Sequence, residues 1–501
     1  MNPLARSKPL AELAAQLGLP TDDAWAELAI GGVCEDSRRI APGDLFVAIP
    51  GTRADGLTFA REAIARGAAA VVSEAPFRSD VPNIQVDDAR LALAILSAAF
   101  HDGPTRDVFV VAVTGTNGKT TVCRLIAQIL GDESTVEIGT VANEARGLRA
   151  VTTPSSPLVQ AIARRAVDAG ARHLVIEASS IGLEQRRLDA IDVDVAVFTN
   201  LSRDHFDLHG DWERYLSAKR RLFADLKPAA WAVVNADDPA GAVMLAAAAC
   251  RHLTFAIRPA TADRAPSPVD LTAGDVRLGD TRSSFVLGWD GRAVDVRLPL
   301  VGVHNVENAF AAAGVGIAAG RPLEEIAEAL AAATPVPGRH RVLRRRDGAT
   351  AVVDFAHNPA ALERTLTTLV GSDHRTIVVF GCPGDGDRGK RAPMGAIAGR
   401  LADRVVITSD NPKHERPEAI AEEIAVGLRR TGTAWDWVPD RADAIHRAVD
   451  HASAQDVILV TGKGHETYQI VGDAFLPHSD EAILQSLGFV DASMQNGESP
   501  A

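Results

Sequence analysis

The sequence predicts an α/β protein built on mostly parallel sheets with helices covering both faces. Three observations point there. Short branched apolar runs recur along the chain, among them "VFVVAVTG", "HLVIEAS" and "RTIVVFG". Between them lie segments with apolar residues at helical spacing, such as "ARLALAILSAAF" and "AIAEEIAVGL". Glycine-rich and polar clusters follow the strands, and in such sheets ligands bind at the carboxyl ends of strands.

In chain order, residues 1–103 alternate the strands "DLFVAIPG", "AAAVVSE" and "NIQV" with the helices "TFAREAIARG" and "ARLALAILSAAF", and "HDGPTRD" reads as a linker. Residues 104–332 continue the alternation with "VFVVAVTG", "HLVIEAS", "VDVAVFTN" and "AWAVVNA", followed by a more β-like insertion near 252–300. "PVPGRHR" marks a second boundary. Residues 333–488 carry "ATAVVDFAH", "RTIVVFG", "RVVITSD" and "DVILVTGKG", and the polar residues 489–501 read as a disordered tail. There is no internal repeat.

A chain of 501 residues is long enough for several domains, at roughly 100–200 residues each. Its net charge of −13 argues against nucleic acid or an anionic membrane as main partner. Cys34, Cys123, Cys250 and Cys382 are far apart and form no CxxC pair, so neither a disulfide framework nor a zinc site is suggested. The first residues are too polar for a secretory signal, and no apolar run approaches the roughly 20 residues of a membrane span. A cytoplasmic monomer is expected.

"VTGTNGKTT" follows a strand and opens a helix. Gly115 and Gly118 let backbone N–H groups turn onto phosphate oxygens, Lys119 adds a point charge, and Thr120 or Thr121 can ligate Mg²⁺. The loop is shorter than a full Walker A, since Val113 stands where that motif has glycine. Glu177 ends a neighbouring strand, where a carboxylate can hold Mg²⁺ or simply close the strand. "FTNLSRDHFDLHG" offers Asn200, Asp204, His205 and His209 after the next strand, a cluster that favours a metal and nucleotide site. In "DWERYLSAKRRLF", Lys219 falls within the apolar helix face of Trp212, Tyr215, Leu216, Leu222 and Phe223. It is either a snorkelling lysine with its head in water or a functional lysine at the bottom of a site. In the last domain every strand ends in polar chemistry: Asp354 and His357, then "GCPGDGDRGK", "SDNPKHERP" and "GKGHET". That edge is expected to face the phosphate loop across a cleft.

Together these residues resemble the Mur ligases, ATP-dependent amide-forming enzymes of peptidoglycan precursor synthesis, and within them the branch that adds the third residue of the stem peptide. The resemblance rests on "DSRRIAPGDLFVAIPG", "GTNGKTT", "TTP", "EASS", "FTNLSRDHFDLHG", "AKRRLF", "DFAHNPAAL", "GDRGKR", "SDNP" and "GKGHETYQI", in order over nearly the whole chain. It implies a three-domain architecture: an N-terminal domain for the UDP-sugar, a central P-loop domain and a Rossmann-like C-terminal domain for the amine. ATP and Mg²⁺ are the implied cofactors. Gly115, Thr116, Asn117, Gly118, Lys119, Thr120 and Thr121 would hold the phosphates, with Thr120, Glu177 and His205 at the metals. Lys219 matches a lysine that the family carbamylates, which would make it a further metal ligand. Asn305 and Asn308 would meet the adenine region, and Arg339 and Asp354 the nucleotide from the far side. Ser37, Thr52, Arg53 and Ala54 match UDP-sugar positions, and Thr152, Thr153, Ser179, Gln185 and Arg187 match muramoyl-dipeptide positions. Asp410, Asn411, Lys413, Gly462 and Glu466 match the amine site.

There are departures. Ile181 replaces a usual histidine, His304 replaces a usual aromatic residue, and "DFAHNP" leans toward the folylpolyglutamate synthetase branch. Two arginines of the diaminopimelate-adding members are missing: Gly386 and Lys413 stand in their places, with Arg388, Lys390 and Arg391 as nearby substitutes. The implied reaction is acyl-phosphate-mediated ligation of an amine to UDP-N-acetylmuramoyl-L-alanyl-D-glutamate. Two other readings stand beside it: a paralogue joining an amine to a different carboxylate outside murein synthesis, and a nucleotide-binding switch that has lost ligation. Against the last, Lys119, Glu177, His205 and Lys219 are all present.

Overall fold

The computed structural model describes residues 6–19, 25–51, 54–257, 269–279, 281–369 and 374–492. Its architecture is the expected α/β type, with three main sheets. The first is a four-stranded parallel sheet of Gly32–Cys34, Asp44–Ala48, Ala70–Ser73 and Asn83–Gln85. The helix Ala89–Phe100 covers it. Asp88 caps that helix by accepting from the Leu91 N–H, and its apolar stripe of Leu93, Leu96 and Phe100 packs with Leu10, Leu45 and Val47.

The central sheet positions the site. Phe109–Thr114 is flanked by His173–Glu177 on one side and Val195–Phe198 on the other, all parallel. Val113 pairs with Glu177 and Thr114 with Phe198, so the three strands end at one level. Their following loops therefore leave the same edge. The full sheet has nine strands, running from Thr135–Ile138 at one edge to Arg292–Leu298 at the other. The β-rich stretch expected near 252–300 extends this same sheet: Leu271–Leu278 joins it in parallel, then Ser283–Trp289 and Arg292–Leu298 pair antiparallel. The helices Lys119–Leu130 and Val303–Ala318 cover one face, burying Val122, Leu125, Ile126, Phe310 and Val315.

The third sheet has seven strands. Ala434–Trp437, Arg404–Ile407, Thr376–Phe380, Val457–Thr461 and Thr350–Asp354 are parallel, and Arg341–Arg345 and Phe489–Asp491 complete the edge antiparallel. The last strand corrects the expected tail. Phe489 is fully buried and Leu343 pairs with Asp491, so residues 489–491 belong to the sheet. The rest of the expected tail, residues 493–501, lies outside the described residues.

A buried ion pair ties this domain together. Both side chains of Arg441 and Asp480 are 0% exposed, joined by two hydrogen bonds of 2.8 Å. Burial alone would raise the Asp480 carboxyl, but the Arg441 guanidinium and His478 pull it far below the ordinary carboxylate range. Because the folded value is depressed, the pair's stabilisation is present above the unfolded carboxylate value and is lost as pH falls through the acid range below about 4. Arg441→Ala is expected to cost about 3–5 kcal/mol, since it strands a buried carboxylate. Denaturant unfolding near neutral pH checks this; a loss under about 1 kcal/mol would contradict it.

Candidate functional site

The phosphate loop is shaped by steric necessity at two glycines. Gly115 has φ +148°, and a Cβ there would lie 1.9 Å from Thr199 Oγ1. Gly118 has φ +90°, and its Cβ would meet Asn308 Oδ1 at 2.3 Å. Only glycine fits both the backbone and the space. The loop is moored to the next strand end: Thr116 N–H donates to Asn200 O (2.8 Å), Asn117 N–H to Asn200 Oδ1 (3.1 Å), and Thr199 Oγ1 to Asn117 O (2.7 Å). Lys119 begins the helix and curls back, donating to Gly115 O and Thr116 O at 3.0 and 2.9 Å.

Glu177 is 2% exposed and meets the first helical turn: Thr120 Oγ1 donates to its Oε2 at 3.1 Å, and Thr140 N–H to its Oε1 at 2.8 Å. Thr121 is buried in the same turn. Among the described residues no three His, Cys, Asp or Glu side chains cluster closely enough to hold a metal ion. Mg²⁺ at a phosphate site takes one or two protein oxygens and completes its shell with phosphate and water. Thr120 and Glu177 offer such a pair.

Lys219 does not snorkel. It is 1% exposed, its Nζ donates to Gly115 O at 2.9 Å and lies 4.5 Å from the Tyr215 ring centre. Burial, and then the nearby Lys119, push its pKa well below the ordinary lysine value. Tyr215 in turn shares a 2.9 Å hydrogen bond with Thr116 Oγ1. The lysine is thus built into the floor of the phosphate loop. As an amine it offers no anionic ligand, so the metal role implied for it requires the modification. Asn200, Asp204 and His205 line the cleft, but His209 does not. It is buried, its Nε2 2.9 Å from Ser180 Oγ and its Nδ1 3.1 Å from Glu184 Oε2.

The C-terminal domain supplies the opposite wall. The cleft encloses about 250 Å³ between the phosphate loop on one side and Arg339, Asp354, His357 and Arg364 on the other. Arg339 stacks on Phe355 with its guanidinium 4.2 Å from the ring centre, and donates to Thr120 Oγ1 at 3.0 Å. Asp354 accepts the His340 N–H at 2.7 Å and the Ala356 N–H at 2.8 Å, so it sets the turn behind Arg339. Asn305 and Asn308 sit at one end, bonded to each other at 3.2 Å, with His304 beside them.

The residues matched to the acceptor form a second group. Thr153 Oγ1 donates to Glu177 O (2.6 Å) and shares a hydrogen bond with Ser179 Oγ (2.9 Å), while Thr152 Oγ1 lies 3.0 Å from Thr140 Oγ1. Arg187 donates to Gln185 Oε1 and to Thr153 O, close to Glu35 and Arg90 of the N-terminal domain. Ser37 is buried and donates to Glu62, and Ala54 is exposed. Thr52 and Arg53 lie outside the described residues.

In the group matched to the amine, the structure adds a residue that sequence reading passed over. Lys463 is 0% exposed, and its Nζ donates to Asn411 Oδ1 (2.8 Å) and Glu466 Oε2 (2.6 Å), with Asp410 at 3.8 Å. A lysine in "TGKGHE" looks like a solvated turn; only its lodging against the acidic residues makes it structural. Gly462 has φ +110°, and a Cβ there would lie 2.8 Å from Asp410 Oδ2. Lys413 is half-buried with φ +50°.

Three family models match the chain in sequence order: "Mur ligase family, catalytic domain" over residues 29–101, "Mur ligase middle domain" over 113–316, and "Mur ligase, glutamate ligase domain" over 338–464. The chain is 40% identical to the UDP-N-acetylmuramoyl-L-alanyl-D-glutamate–2,6-diaminopimelate ligase of Geobacillus kaustophilus, covering 90% of this chain and 93% of the relative. It is likewise 40% identical to the ligase of that name from Xanthomonas campestris, over 96% of this chain and 97% of the other. A solved structure of a ligase with the same name superposes with a TM-score of 0.66 at 32% identity, covering 97% of this chain and 99% of that one. The Thermotoga maritima MurF ligase in complex with ADP shares the fold, with a TM-score of 0.60 at 20% identity over 86% of this chain and 93% of that one.

Proposed function

The chain belongs to the Mur ligase family, and from that premise we propose that it joins an amine to UDP-N-acetylmuramoyl-L-alanyl-D-glutamate at the expense of ATP. The observation that carries this reading is the cleft where Lys119, Thr120 and Glu177 of the central domain face Arg339 and His357 of the C-terminal domain. The acceptor carboxylate oxygen attacks the γ-phosphorus of ATP and ADP leaves, giving an acyl phosphate. The amine nitrogen then adds to the acyl carbon, loses a proton, and phosphate departs with the original carboxylate oxygen. Lys119 turns from its own loop carbonyls to the phosphates, and the first helical turn adds its N–H groups. Arg339 brings a cation from the opposite wall. Thr120 and Glu177 would hold Mg²⁺, which would neutralise charge on the phosphate groups. His205 and a carbamylated Lys219 would complete a second such position. Enclosure between two domains keeps water from the acyl phosphate. The test is ADP release that requires both acceptor and amine, with the amide identified by mass; ADP release independent of the acceptor would contradict it.

The amine is the point at which this chain departs from its named relatives. An arginine fork holds a carboxylate bidentately, and lysine does not reproduce it. None of the three nearby cations stands in for the missing forks. Arg391 is fully buried and bonded to Glu415, Glu423 and Pro383 O; Arg388 pairs with Glu423; Lys390 is 5% exposed and turned toward Asp204. Asp410, Asn411 and Glu466 offer oxygen acceptors for an ammonium beside Lys463. The amine is therefore one with a carboxylate fewer than diaminopimelate, or with that carboxylate held elsewhere. A Cβ on Gly386 would have no neighbour closer than Gly384 O at 3.9 Å, so an arginine side chain can be installed there. In a competition among diaminopimelate, lysine, ornithine and simple diamines, wild type is expected to disfavour diaminopimelate. Gly386→Arg with Lys413→Arg should shift preference toward it by about tenfold or more. Wild-type preference for diaminopimelate with no gain in the double variant would refute the assignment.

A further inference from the structure

A buried carboxylate with no role in the chemistry above joins the two walls of the cleft. Asp204 is 2% exposed, on the loop after Val195–Phe198. Among the described residues of its own domain it receives only the His205 backbone N–H at 3.0 Å, with the His205 ring at 3.9 Å. The C-terminal domain sends it three groups: Asn358 Nδ2 donates at 3.1 Å, His357 Nε2 lies at 3.4 Å and Lys390 Nζ at 3.8 Å. Asn358 is 0% exposed, and its Nδ2 also donates to Asn117 Oδ1 in the phosphate loop at 3.0 Å. Beside this knot, Arg203 lies 3.5 Å from Asp387.

A negative charge next to a triphosphate site repels the nucleotide, so its presence needs another reason. A buried carboxylate is tolerated only where partners satisfy it, and here most of those partners come from another domain. Parting the domains would return Asp204 to water and unpair Asn358 and Lys390. Other polar contacts between these domains use different residues: Arg339 with Thr120 at 3.0 Å, Glu144 with His465 at 3.3 Å and Glu307 with Arg364 at 3.8 Å.

We propose that Asp204 is a positioning residue that docks the C-terminal domain onto the phosphate loop through Asn358 and Lys390, fixing His357 in the cleft wall. Its kinetic consequence rests on the ligase reading; the docking itself does not. Asp204→Asn keeps the shape and removes the charge. It is expected to lower kcat by about 10²-fold, as a misplacement of order 1 Å does, while the KM for ATP stays within about threefold because the phosphate loop is intact. Asn358→Ala, which touches none of the metal-binding positions, should lower kcat in the same way. The double variant should lose little more than the worse single one, because both break one contact set. Small-angle scattering of the ATP-saturated protein should show a larger radius of gyration for each variant than for wild type. Near wild-type kcat in Asp204→Asn would overturn the proposal. So would losses that multiply in the double variant with an unchanged radius, which would mean that Asp204 serves His205 alone. Should Asp204→Asn fail to fold, Asn358→Ala and Lys390→Gln carry the same measurements from the other domain. A wild type that forms no amide would refute the ligase reading, while the scattering comparison still decides the docking.

Discussion

Lys119→Ala is expected to lower ligation about 10²–10³-fold, the usual cost of one charge lost from a phosphoryl-transfer site. The substitution should leave the fold intact. Lys119 is partly exposed and, among the described residues, makes no salt bridge and bonds only two carbonyls of its own loop, one of which also accepts from Lys219. Its ammonium is buried deeply enough that desolvation lowers its pKa, and Glu177 opposes that shift. Phosphate oxygens would supply its counter-charge. Circular dichroism should match wild type, and calorimetric titration with ATP should show weakened binding. Turnover within about threefold of wild type would refute the assignment of ATP to this loop.

Lys219→Ala is expected to be nearly inactive, again by about 10²–10³-fold, with partial rescue by a small carboxylate such as acetate. The side chain sits on an apolar helix face beneath the loop, and burial favours its uncharged form, the form that adds carbon dioxide. Carbamylation converts that amine into an oxygen anion suited to Mg²⁺, a hard cation that takes oxygen ligands. Deleting the amine does not strand a salt-bridge partner, so loss of folding is not the expected cause of inactivity. Lys219→Met, which fills the same space, separates the two effects: it should be as inactive as the alanine variant but not rescued. ¹³C-bicarbonate labelling should give a carbamate signal in wild type alone. An active alanine variant together with an unlabelled lysine would refute the prediction.

Much of this was legible in the sequence because local and global signals agree. Ala89–Phe100 was read at its observed bounds, since Asp88 caps it and its apolar residues recur at helical spacing. The three strands around the phosphate loop were legible as unbroken apolar runs, the mark of a central parallel strand. Several edge strands were not, although Asn83–Gln85 was. Thr135–Ile138 is half-exposed along most of its length, Ala434–Trp437 has no fully buried residue, and Phe489–Asp491 is only three residues long. Within the site, Glu177, Asn200 and Asp204 could be found because topology alone brings them to one edge of the central sheet, and Asp354 because it ends a strand of the third sheet. His209 shares that loop, but a short helix turns it inward against Ser180. Lys463 and Asn358 escaped notice because their roles depend on partners remote in sequence: Asn411 for one, Asp204 and Asn117 for the other.

The account turns on an acyl phosphate, and oxygen transfer tests that most directly. The acceptor should be prepared with ¹⁸O in its reacting carboxylate and turned over with ATP and a productive amine. The phosphate released should then be examined by mass spectrometry. Attack of the carboxylate on ATP followed by displacement by the amine predicts a single ¹⁸O in each phosphate released with the amide. Amide formed with unlabelled phosphate would show that the carboxylate is never phosphorylated, and would contradict the account.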